Sequence, residues 1–299
     1  MFDLRYHVTS LAAVFIALII GILVGVALAS HGLGNSERKS LQDDLRRAQN
    51  RADALQAQVE ALDQTSAAAQ TFVVDTYKTL MADRLKGKRI AVLFVGSVDH
   101  QTLSAITTAL RDAGGGTSLR TYAVQVPIDA TALDKRLQKR PFLASYAGDQ
   151  QLRKLGKALG QEFVGGKDTP LWNALHNVIL QEATPRFGAS KRLADGVVVV
   201  RSAKPQTGTT APFVKGLYEG LADVGVPAVG VARSDEEFTA KPVFQEANVS
   251  TVDDVDTDAG KLALAILLSD SSQAGDYGLG ADKLLPLVAP VTPVTTTGG

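Results

Sequence analysis

Hydrophobic and polar positions divide the chain into stretches with different periods. From Leu11 to Ala29 the sequence reads LAAVFIALIIGILVGVALA. That is about nineteen uncharged residues, and a helix rising about 1.5 Å per residue carries them across close to 30 Å of hydrocarbon. A run that is apolar on every face predicts a single transmembrane helix, because a surface helix of a soluble domain keeps one polar side. Ala27-Leu28-Ala29 ahead of Ser30 also fits the small-residue site of a cleavable signal peptide. The run outlasts the usual apolar region of about 7 to 15 residues, and only Arg5 precedes it. A retained anchor over residues 1–30 is therefore the expectation, with cleavage as the alternative. Gly21 and Gly25 stand four apart on one face and are candidates for close helix packing in lipid.

After His31-Gly32-Leu33-Gly34 the period becomes that of a heptad. Leu41, Leu45, Ala48, Ala52, Leu55, Val59 and Leu62 recur at alternating spacings of four and three, behind N-cap candidates Asn35 and Ser36. The narrow stripe predicts a coiled-coil helix over residues 36–86, its register continuing loosely through Ala69, Val73 and Leu80. The small Ala48 and Ala52 weaken the seam and leave open a helix that folds back on its own domain. Flanking charges such as Asp44 and Arg51 form no pairing code, so the expectation is a homodimer or a higher homo-oligomer. An anchor beside a coiled coil raises the local concentration of partners, so each feature supports the other.

Residues 88–270 read as an α/β domain. Lys88 to Ser97, KRIAVLFVGS, is a short apolar strand, and helical spacing follows at Leu103, Ile106 and Leu110. Ser118 to Val126 predicts a second strand, and Ala130 to Ala183 a helical middle in which Trp172 and His176 sit four apart as a packed aromatic pair. Gly196 to Val200 is a valine strand, Pro212 to Val224 a helix, and Pro227 to Val231 a further strand. Continuously apolar strands imply burial on both faces, which predicts three layers around a mainly parallel sheet. Ligands of such sheets bind at the strand carboxyl ends, which nominates Gly96, Ser97, Asp99, Arg201 and Ser202. Gly96-Ser97-Val98-Asp99 lacks the glycine spacing of a phosphate loop, and no nucleophile-elbow or zinc-protease motif occurs, so no enzyme is expected.

An acidic run, Asp253 to Asp258, precedes the apolar helix Lys261 to Leu268. Asp254, Asp256 and Asp258 match the opening of a calcium loop, but Ala259 stands where its glycine belongs and Ala265 where its glutamate belongs. An N-terminal cap with an acidic first turn is the expected role. Residues 271–299, rich in Gly, Pro and Thr, read as a flexible tail.

Composition narrows the chemistry. Thirty-one basic and 31 acidic side chains among 299 residues give zero formal charge, which removes the basic excess of a nucleic-acid binder. Cys is absent and Met occurs only at Met1 and Met81, so thiolate zinc, iron–sulfur and thioether copper sites are excluded. No metal site or cofactor is expected within one subunit.

Leu4-Arg5-x-His7 with Ser10-Leu11-Ala12-Ala13-Val14-Phe15, together with Ser250 to Asp256, its following helix and Asp276-Tyr277-Gly278, resembles the actinobacterial copper-transport protein B family. The resemblance implies a single-pass cell-membrane protein with a coiled coil and an extracytoplasmic carboxy-terminal domain, acting in copper efflux or homeostasis. It also implies a link to septal or cell-wall partners, and hence a scaffold as the alternative. The charge pattern disagrees with that topology, since Arg38, Lys39, Arg46 and Arg47 follow the apolar run, but a long following domain weakens the charge rule. Copper also wants Cys, Met or His, and His7, His31, His100 and His176 are scattered. A β-barrel pore would need repeated alternating segments of about ten residues, which the pattern does not offer.

Overall fold

The computed structural model of the chain describes residues 4–29, 35–116, 120–166, 169–176, 178–182 and 192–288; for helical residues 4–10, 27–29, 35–37 and 70 it describes the backbone alone. His31 and the side chains of His7, Asn35 and Ser36 thus lie outside what is described. The chain forms two units, Met1–Ala69 and Gln70–Gly299.

The first unit holds α1, Leu4–Ala29, and most of α2, Asn35–Met81, an unbroken helix of 47 residues. Residues 11–26 of α1 carry only apolar side chains and glycine, nearly all of them exposed. Among the described side chains, which in α1 are those sixteen positions alone, no helix is long and apolar enough to cross a membrane. Along α2, Leu41, Leu45 and Ala52 are half-buried, and Ala48, Leu55, Val59 and Leu62 are exposed.

The far end of α2 belongs to the second unit, which corrects the expected helix over residues 36–86. The helix stops at Met81, residues 82–87 form turns, and Tyr77, Met81 and Leu85 are buried in the domain core. Tyr77 Oη donates to Asp112 Oδ2 at 2.9 Å, so these turns pack on their own domain.

That domain is mixed α/β with a seven-stranded, mainly parallel sheet. Its strands are β1 (Ile90–Val95), β2 (Arg120–Val124), β3 (Leu180–Glu182), β4 (Gly196–Arg201), β5 (Ala228–Val231), β6 (Ser250–Val252) and β7 (Asp276–Tyr277). They lie in the order β3-β2-β1-β4-β5-β6-β7, and β3 alone is antiparallel to its neighbour. The helices are α3 (His100–Asp112), α4 (Ala130–Gln138), α5 (Leu152–Gly165), α6 (Pro170–Leu175), α7 (Thr210–Ala222), α8 (Lys241–Glu246) and α9 (Asp258–Ser269). Alternate residues of the central strands feed two cores. Leu93, Val95, Val197 and Val199 meet α4 to α8, while Val92, Phe94, Val198 and Val200 meet α3, α9 and the end of α2. Two-sided burial explains why β1 and β4 are apolar without alternation.

Three expectations change. The short antiparallel β3 follows α6 where only helix was expected. The tail assigned to residues 271–299 begins as structure: β7 adds a strand beside β6, with Thr251 Oγ1 donating to Asp276 Oδ1 at 2.6 Å. Trp172 and His176 do not pair, because α6 ends at Leu175 and His176 is its exposed C-cap. Trp172 instead packs on Tyr122 and Phe163, ring centres 5.0 and 5.1 Å away, and donates from Nε1 to the Leu159 carbonyl at 2.9 Å.

Helices α5 and α7 cross with their backbones touching. A Cβ on Gly156 would stand 2.0 Å from the Phe213 carbonyl oxygen, and one on Gly216 would stand 2.0 Å from that of Arg153. Gly160 and Gly220 repeat the contact one turn on, at 2.5 Å from Leu217 O and 2.0 Å from Lys157 O. Only glycine fits such an approach, and Arg153–Glu219 and Lys157–Asp223 ion pairs of 2.5 and 2.6 Å flank it. Gly216→Ala should therefore cost about 3 kcal/mol in urea unfolding, whereas Gly165→Ala, whose Cβ meets nothing within 4 Å, should change stability by under about 1 kcal/mol. Equal midpoints for the two variants would contradict the contact.

Candidate functional site

Chain direction creates the one place where the sheet opens. From β1 the chain runs through Gly96-Ser97-Val98-Asp99 into α3 and then to β2 on one side, while β4 lies on the other side of β1 and continues away to β5. The connections diverge above the carboxyl ends of β1 and β4, the switch point at which doubly wound sheets open a crevice. A cleft of about 540 Å³ lies there, lined by the β1–α3 loop, the end of β4 and the β5–α8 connection.

All five nominated residues meet at this point. Gly96 has φ 113°, and a Cβ on it would stand 2.7 Å from the Ala203 nitrogen and 2.8 Å from Ser202 Oγ, so glycine lets the two loops touch. The amides of Ser202 and Ala203 both donate to the Val95 carbonyl at 3.1 Å, and Ser202 Oγ donates to the Ser97 carbonyl. Asp99 caps α3, accepting from the Thr102 amide at 2.8 Å, the Gln101 amide at 3.3 Å and the Thr102 hydroxyl. Burial works to raise this carboxyl, and the Thr102 and Gln101 hydrogen bonds outweigh it and hold it below its ordinary value.

Arg201 ends β4 half-buried and donates from Nη2 to Thr239 Oγ1 at 2.5 Å. Burial pulls its guanidinium below the usual range. Glu236 also lines the cleft. Burial raises its carboxyl, Arg233 at 3.7 Å opposes this, and Asp99, Asp235 and Asp256 add to the rise. Thr239, Glu236 and Lys204 were not foreseen as lining, since nothing in the polar loops that hold them marks a site.

The other nominated residues lie elsewhere. On α1, a Cβ at Gly21 or Gly25 would meet nothing within 4 Å among the described residues. The α2 seam lies in the first unit. His100 and His176 are both exposed, and among the described residues no group of three or more His, Cys, Asp or Glu could hold a metal ion.

The acidic run is used up by the backbone. Thr257 caps α9, its Oγ1 accepting from the Gly260 amide at 3.0 Å, with Asp258 in the first turn. Asp256 accepts from the Ser234 amide and hydroxyl at 2.7 and 2.8 Å, and Asp253 from the Gly280 amide at 3.1 Å. Asp254 is fully buried, with Oδ2 accepting from Thr257 Oγ1 at 2.9 Å and Oδ1 without a hydrogen-bond partner among the described residues. Burial pushes its carboxyl up to about 6, the Thr257 bond opposes this, and Asp253 and Asp256 add to the rise.

Fold and cleft place the second unit in the open, doubly wound α/β class, here following a long heptad-bearing helix. The chain belongs to the MctB family, described as copper transport outer membrane protein, whose model matches residues 1–286. It is similar to the protein named Copper transporter MctB of Mycobacterium bovis, 25% identical over 316 residues that cover 94% of this chain and 97% of that one. Proteins of that name from two strains of Mycobacterium tuberculosis match to the same extent.

Asp254 predicts a pH signature. Its carboxyl stands at about 6 in the fold against an ordinary 3.8, so the native state binds the proton more tightly than the unfolded chain. Stability from this group is lost as pH rises through the window from about 4 to 6, by at most about 3 kcal/mol. In chemical denaturation the wild type should gain on Asp254→Asn by about 2 kcal/mol between pH 7 and pH 4. A pH-independent difference would contradict the burial.

Proposed function

We propose that the chain is a membrane-anchored, oligomeric envelope protein of copper efflux and homeostasis. In this reading α1 is the single-pass anchor, α2 pairs copies along its seam, and the α/β domain lies on the extracytoplasmic side. The observation that carries it is the apolar surface left uncovered on Met1–Ala69: an α1 exposed over residues 11–26, and Leu55 and Leu62 of α2 at 61% and 69% exposure. Lipid satisfies the first surface and a second copy the other, each by removing apolar area from water. Family membership and relatives named copper transporters supply copper as the cargo. Because one helix cannot enclose a path, the reading requires assembly, with copper met by groups pooled across copies.

A second reading draws on the same seam and on the absence of Cys from the chain. Here α2 recruits a septal or cell-wall partner to the membrane, and the domain is a scaffold with no copper of its own.

The test uses the full chain. In light scattering, the double variant Leu55→Asp, Leu62→Asp should fall to a monomer while its circular dichroism stays unchanged, since both side chains are exposed. In a strain lacking the protein, wild type should lower cell-associated copper and the double variant should not. Restoration by the monomeric variant would overturn the oligomeric transport reading, and unchanged copper on deletion and complementation would leave the scaffold.

A further inference from the structure

Several arginines of the α/β domain are held by carboxylates, and the buried Arg120 by the Phe163 and Arg192 carbonyls. Arg89 holds Asp195 through two bonds of 2.8 and 2.9 Å, Arg153 holds Glu219, and Arg233 holds Asp235. Among the described residues Arg201 has no carboxylate partner, and its hydrogen bond goes to the neutral hydroxyl of Thr239. Its electrostatic neighbour Tyr218 is a fully buried phenol, ionising well above its ordinary range, whose hydroxyl has no hydrogen-bond partner among the described residues. A half-buried guanidinium loses hydration that one neutral hydroxyl does not replace, so it is costly unless something else pairs with it. The guanidinium lines a cleft large enough for a small molecule.

The cleft's other charges restrict that molecule. The lining also carries Lys204 and three carboxylates, Asp99 from the β1 loop and Glu236 and Glu237 from the β5–α8 connection, with Arg233 3.7 Å from Glu236. The N-terminus of α3, where a phosphate would sit in many such folds, is already occupied by the Asp99 carboxylate. A multiply charged phosphate would meet those three carboxylates, whereas a ligand with one carboxylate and one cationic end matches charges of both signs. We propose that the cleft binds a small zwitterion of amino-acid type, its carboxylate on the Arg201 fork and its ammonium toward Asp99 and Glu236. Arg suits the first role because its planar fork takes a carboxylate through two parallel bonds. The cleft is lined by no residue of α1 or α2, so the proposal does not depend on the copper reading.

The experiment is calorimetric titration and thermal unfolding of the full chain in detergent with alanine, alanyl-alanine, acetate, alaninamide and inorganic phosphate. Alanine or alanyl-alanine should bind one per chain and, near saturation, raise Tm by about 5 °C. Acetate and alaninamide, each lacking one charged end, should bind at least about tenfold more weakly, and phosphate should compete poorly. Arg201→Gln should lose at least about tenfold in affinity, and Glu236→Gln should weaken alanine more than acetate. No binding by either zwitterion, or alanine bound as tightly by Arg201→Gln, would overturn the site. Phosphate bound as tightly as alanine would overturn the ligand class. If Arg201→Gln fails to fold, the comparison of alanine with acetate and alaninamide on the wild type decides.

Discussion

The glycine contact between α5 and α7 sets the geometry of one whole layer of the domain. Four missing side chains let the two helices meet at backbone distance, so α7 can lie close under α5 and against the sheet. From that position Tyr218 of α7 meets Phe244 of α8, ring centres 4.7 Å apart, and Phe244 fills the space over Gly230 of β5. A methyl group between the helices would push through that stack, since close-packed interiors have no slack to absorb it.

The opposite layer is built differently. There α3 and α9 cover the sheet, and the last turns of α2 join them through Tyr77 and Met81. One helix therefore serves two environments along its length: an apolar seam in the first unit and a core-facing edge in the second. The change falls beyond Ala69, where the seam residues give way to Tyr77 and Met81, and it accounts for a heptad that reads only loosely after Leu62.

The central strands were legible because burial on both faces leaves an apolar run that few other elements share, and the cleft followed from where those strands end. The N-terminal cap and acidic first turn of α9 follow from helix-terminus chemistry that acts within a few residues. What stayed hidden depends on distant contacts. β3 and β7 are three and two residues long, too short for a period, and β7 exists because Asp276 meets Thr251 and the Asp253 amide donates to the Tyr277 carbonyl. The glycines of α5 and α7 read locally as helix-weakening, and their purpose shows only when the two helices are brought together. Likewise nothing in Glu236 or Thr239 marks them as cleft residues until the β5–α8 connection is folded over Arg201.

Copper flux into vesicles reconstituted with the purified full chain tests membrane assembly and copper as the cargo at once. Copper entry above that of protein-free vesicles is expected for the wild type, and entry at the protein-free level for the chain carrying Leu55→Asp and Leu62→Asp. Wild-type vesicles no more permeable to copper than empty ones would contradict the transport reading.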